Sequence, residues 1–200
     1  MKRIFLFLLL FIFCVVNGLG AYNLTYAEQL LELYHTQLYR YPVNLAENVV
    51  WIEQSLKADF ANPLNAHAII KSPEEWTRYR YLFRMHLYLL LVESYIDWAA
   101  KYTKRKAYFY NYPWKEENLK SLDTAEDLFN IALFYWEQAK IWSKKAWQYF
   151  YYNLEEIQYW EDRNHRIETG DLDYADIIGE HLQRLENVRA KFKKMDDKTY

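Results

Sequence analysis

Only four glycines occur in 200 residues, and the chain runs from Gly20 to Gly170 without one. A β-rich domain of this size needs many turn glycines, whereas helices exclude them because glycine loses the most backbone freedom on ordering. The sequence therefore predicts an all-α chain whose flexible points are confined to its two ends. Prolines supply the punctuation between them. Pro42, Pro63, Pro73 and Pro113 each fall where a helical pattern stops or starts, as a residue without an amide donor should.

Between those breaks apolar residues recur at helical spacing. Thr25 with Glu28 has the form of a capping box, followed by a stripe through Leu30, Tyr34 and Leu38. Asn44 with Glu47 opens a second helix carrying Val49, Ile52 and Leu56, which makes a helical hairpin with the first. A short turn of helix is expected after Pro63. Ser72-Pro73-Glu74-Glu75 joins an N-cap serine, a proline at the first helical position and a glutamate at the third. The helix it starts should run to about Tyr102. An aromatic loop from Tyr108 to Trp114 leads to a further helix expected to begin near Asp123, and a last amphipathic helix follows Gly170, capped by Asp173. Whether the stretch from Asp123 to Glu168 is one helix or two is open at this level, with a bend near Asn153 as the second possibility.

The first residues stand apart from this pattern. Lys2 and Arg3 precede an apolar run from Ile4 to Val16, and Asn17-Gly18-Leu19-Gly20-Ala21 offers small residues for cleavage. The run is short of the roughly 20 apolar residues that a membrane-crossing helix uses. The expected organisation is a cleaved signal peptide over residues 1–21, one all-helical domain over 22–192 and a polar, frayed tail over 193–200, with retention of the leader as an anchor the alternative. Cys14 is the only cysteine and lies in that leader, so the mature chain has no disulfide despite an oxidising destination. Without Lys2 and Arg3, 23 basic residues face 27 acidic ones, and there is no basic excess to draw the protein to nucleic acid. No membrane span remains after cleavage.

Local chemistry is sparse. Glu32 and His35 form a Glu-x-x-His pair of the kind from which di-iron bundles build half a site, but Asp162 with His165 is the nearest approach to a second copy. No His-Glu-x-x-His motif, glycine-flanked serine elbow or glycine-rich phosphate loop occurs. His86 falls near the apolar face of the long helix, where a core role is the simpler reading. The sequence therefore predicts no catalytic, metal or cofactor site and a non-enzymatic protein.

Two patterns do point to binding. Ala125, Ala132, Ala139 and Ala146 lie seven residues apart, and such a row admits a neighbouring backbone closely, which makes it a helix-packing seam. The mature chain also carries 35 aromatic residues, several of them in Trp147-Gln148-Tyr149-Phe150-Tyr151-Tyr152, more than one helix face can bury. Tyrosine and tryptophan concentrate at interface hot spots, so Trp136, Trp142, Trp147, Tyr151, Tyr152 and Trp160 are the expected partner-binding surface.

Alanines at close-approach positions between large aromatics resemble the tetratricopeptide-type helical hairpin. The likeness is limited to the segment from Asp123 to Tyr152, where Ala139 and Ala146 have the spacing of the alanines in the repeat's second helix and Ser143 replaces the usual large aromatic. In overall character the chain is also similar to small helical periplasmic proteins of spirochaetes, including collar components around periplasmic flagellar motors. These resemblances imply antiparallel helical hairpins in a bundle or array, periplasmic localisation, and a scaffold or adaptor that binds protein partners in an envelope complex, such as one associated with a flagellar motor. The alternative is a periplasmic protein whose long helices enclose a small ligand or lipid.

Overall fold

The computed structural model describes residues 24–104 and 112–198. The expected leader and residues 108–111 of the aromatic loop lie outside them. The described residues form six α-helices packed antiparallel as a bundle: α1 (Ala27–Arg40), α2 (Leu45–Lys57), α3 (Pro73–Ala100), α4 (Lys115–Trp147), α5 (Gln158–Thr169) and α6 (Tyr174–Lys193). There is no sheet among them, only an isolated bridge between Tyr26 and Asp59. None of these helices is long and apolar enough to cross a membrane.

Helix starts follow the local chemistry. Ser72 Oγ accepts the Glu75 amide at 3.1 Å and Pro73 occupies the first turn of α3, while Asp173 Oδ1 accepts the Ala175 amide at 2.8 Å to open α6. At α1 the carboxamide oxygen of Gln29, not Glu28, takes the amides of Thr25 and Tyr26, both at 3.2 Å. Glu28 is buried instead and accepts the Ala61 amide at 2.9 Å, so a connection 33 residues away claims the expected capping carboxylate. Gly170 closes α5 with φ +82°, a conformation that side chains with a Cβ rarely adopt.

The α3/α4 pair is the axis of the bundle and its most extensive contact. The α1/α2 hairpin reaches it through α2 against α3, and α5 and α6 pack against α4. Buried residues occur all around α3, including Tyr79, Leu82, Met85, Leu87, Leu89 and Val92, as expected of a helix enclosed on most sides rather than one with a single apolar stripe.

The last long helix begins at Lys115, about two turns before Asp123, and stops at Trp147, so the segment from Asp123 to Glu168 holds two helices separated by turns. Its burial follows a heptad with two rows. Asn118 joins Ala125, Ala132, Ala139 and Ala146 in one, and Leu122, Phe129, Trp136 and Ser143 form the other, four residues further along; all are buried. At the end of α6, Lys115 Nζ donates to the carbonyls of Lys193 (3.1 Å) and Met195 (3.0 Å), and Met195 packs against the core.

Candidate functional aromatic surface

The expected partner-binding residues divide into three groups. Trp136 and Trp160 are 1% and 8% exposed and cannot meet a partner in this fold. Trp136 belongs to the second heptad row of α4; its indole N–H donates to Asp173 Oδ1 at 3.1 Å and its ring stands edge-on to Tyr174 at 5.5 Å, so the start of α6 covers it. Trp160 lies on the inner face of α5, where His86 of α3 stacks on it at 4.8 Å and Phe83 meets it edge-on at 5.6 Å. Both are core residues, and their assignment to a surface is corrected accordingly.

A second group gathers where α4 ends. The amides of Tyr149, Phe150 and Tyr152 bond to carbonyls three residues back, so the aromatic run leaves the helix as consecutive turns instead of spreading its rings around a continuing helix. Trp147 is half-buried, stacked on Phe150 at 5.5 Å and edge-on to His165 at 5.9 Å. Phe150 and Tyr151 have ring centroids 3.8 Å apart. Phe150, Tyr151 and Tyr152 are 44%, 82% and 38% exposed.

Trp142 belongs to the third place, a cleft of about 710 Å³ between α3, α4 and the chain after α2. Trp76, Arg80 and Arg84 follow one another at i, i+4, i+8 along α3. The Arg84 guanidinium lies between the rings of Phe60 (5.5 Å) and Trp142 (5.1 Å), Arg80 lies over Trp76 at 5.5 Å, and Lys145 Nζ sits 4.0 Å from the Trp142 centroid. Tyr81 connects this cleft to the α4 turn, touching Trp142 at 5.7 Å and Tyr149 at 6.0 Å. The sequence signal for the cleft is the spacing of Trp76, Arg80 and Arg84, which reading the helix for its apolar residues alone passes over.

Buried charge beneath these surfaces fixes the helices. Arg78 of α3 pairs with Glu161 of α5, and Arg163 Nη1 meets Glu93 at 2.6 Å while Tyr174 donates to the same carboxylate at 2.6 Å. Burial and the bond to Glu93 push the Tyr174 hydroxyl above its ordinary range, so it serves as a neutral donor. The Glu32/His35 and Asp162/His165 pairs do not combine. Glu32 and His35 are exposed on α1, Asp162 bonds to Gln158, and His165 faces Trp147. Among the described residues no three or more His, Cys, Asp or Glu side chains are grouped to hold a metal ion.

Comparison with known proteins finds no match among curated proteins or among solved structures. Residues 74–195 match the family described as domain of unknown function DUF8513, an interval that takes in α3 to α6 and leaves the α1/α2 hairpin outside. The chain belongs to this family of domains of unknown function, DUF8513.

Proposed function

We propose that this protein is an exported, non-enzymatic adaptor of the periplasm that binds a protein partner through the aromatic turn at the end of α4. The observation that carries the reading is the exposure of Phe150, Tyr151 and Tyr152 side by side, with Trp147 behind them, on a bundle whose other large rings mostly pack inward. Clustered aromatics rigidly backed by a helix end supply large contact area at small entropic cost. Export rests on the Lys2-Arg3 n-region, the apolar run after it and the small residues before Ala21.

A photo-crosslinking phenylalanine analogue at position 151, introduced in the source organism, tests the interface. Tyr39, 90% exposed on α1, provides the control position. A discrete protein adduct from position 151 and none from position 39 supports the adaptor; no adduct, or the same adducts from both, overturns it. Flagellar-motor proteins in the specific adduct would extend the proposal to a motor collar. N-terminal sequencing of the protein from a periplasmic fraction, expected to start at Ala21 or Tyr22, tests export.

A further inference from the structure

We propose that the cleft between α3, α4 and residues 59–63 is a second recognition site, one that takes an extended acidic protein segment bearing carboxylates at alternate positions. This site goes beyond the α4 turn and depends on no part of its assignment.

The charge in the cleft is uncompensated. Arg78, Arg163 and Arg189, which are buried, each hold a carboxylate. Arg80 and Arg84 make no ion pair among the described residues; Arg84 Nη1 has only a 3.4 Å bond to the Leu56 carbonyl, and the enclosed Nε of Arg80 has no acceptor. Among the described residues Asp59 is the one carboxylate lining the cleft, and it forms an ion pair with neither arginine. Lys145 adds a third positive charge at the Trp142 side. Cation–π contacts with Trp76, Trp142 and Phe60 hold the two guanidiniums in place without using their N–H groups, which leaves those donors for a carboxylate to take with two parallel hydrogen bonds.

Spacing selects an extended segment over a single small anion. Arg80 and Arg84 are four residues apart on a helix, about 6 Å along its axis at 1.5 Å per residue. Alternate side chains of an extended strand are about 6.6 Å apart and share one face. Two carboxylates at positions i and i+2 of such a segment therefore match the spacing of the two arginines. The run from Trp76 to Arg84 is about 12 Å, longer than one carboxylate or phosphate occupies.

The test titrates the purified exported protein with an acetylated octapeptide carrying glutamate at alternate positions, the same peptide with glutamine in their place, and sodium phosphate, following the indole N–H resonances of Trp76 and Trp142. The glutamate peptide should shift both resonances, the glutamine peptide should leave them unmoved, and R80Q and R84Q should each weaken binding by about tenfold or more. The glutamine peptide tests the role of charge without altering the protein, and circular dichroism verifies the fold of each variant. Equal binding of the two peptides, binding unchanged in both variants, or no shift at either indole overturns the proposal. Phosphate that displaces the peptide at equal concentration overturns the extended-segment assignment in favour of a simple anion site. Cross-linking through position 151 is scored on the R80Q/R84Q protein, so loss of the cleft and loss of the α4 turn are read separately.

Discussion

The Arg78 guanidinium on α3 grips the Glu161 carboxylate on α5 with both side chains buried, and its Nη1 also donates to the Ala146 carbonyl at 2.6 Å where α4 ends. Glu161 Oε1 accepts the Leu154 amide at 3.2 Å, so one ion pair fastens three helices and the turn between two of them. Removing a single partner leaves an uncompensated buried charge. R78M or E161L should cost about 3–5 kcal/mol, whereas the double substitution should recover part of that loss: it leaves no charge behind, although the Leu154 amide loses its acceptor. Urea unfolding of the four proteins measures it, and additive losses in the double variant would show that the two groups act independently.

Ala139 is fully buried in the first heptad row of α4, in the helix that makes the bundle's most extensive contact with α3. A leucine there inserts three carbons where the backbones approach, and overpacking of this kind costs about 1–3 kcal/mol. A139L should therefore lower the unfolding midpoint in urea. I141A, at a 48% exposed position on the same helix, should change it little. Equal effects at the two positions would mean that the alanine row is not a seam.

The helical class, the α1/α2 hairpin and the caps at Ser72 and Asp173 are legible in the sequence because each is set by contacts within a few residues. The alanine row is legible too, but its extension to Asn118 is hidden by a polar residue, and the second row by its chemical variety: leucine, phenylalanine, tryptophan and serine. That second row decides the fate of Trp136. Rich aromatic content draws attention to Trp136 and Trp160, yet only α6 over one and His86 against the other determine that both are buried. Glu28 shows the same limit, since its capping role is lost to an amide 33 residues away. The cleft arginines escape notice because single basic residues on a helix ordinarily face water; their stacking depends on Phe60 and Trp142, which come from other parts of the chain.

Ser72 Oγ is the side-chain acceptor for the Glu75 amide at the start of α3. S72A should cost about 1 kcal/mol, as loss of an N-cap does. S72D restores an acceptor and adds a negative charge at the positive end of the helix, so it should return stability to near the original. Thermal unfolding of the pair tests this, and an S72D protein no more stable than S72A would show that the cap contributes little here.

His86 ties stability to pH. Burial, then the nearby positive charge of Arg163 and the His35 and His67 imidazoles, pushes its pKa from an ordinary 6.5 down to about 3, and its Nδ1 has no hydrogen-bond partner among the described residues. The imidazole is therefore neutral in the fold and stacks on Trp160 in that form. In the unfolded chain it takes up a proton near pH 6.5, so between that value and about 3 the unfolded state binds more protons than the native state. The contribution is fully present above pH 6.5 and is lost progressively as pH falls through the window. Lowering pH from 7.5 to 5.5 should cost on the order of 1 kcal/mol from this group, while most carboxylates stay ionised. H86F keeps an aromatic ring against Trp160 without the titrating nitrogen, so urea midpoints measured at pH 7.5, 6.5 and 5.5 should fall less steeply in H86F than in the unaltered protein. Parallel slopes would show that His86 takes up its proton in the folded state as readily as in the unfolded one, and the acid sensitivity would then have to come from groups outside this contact.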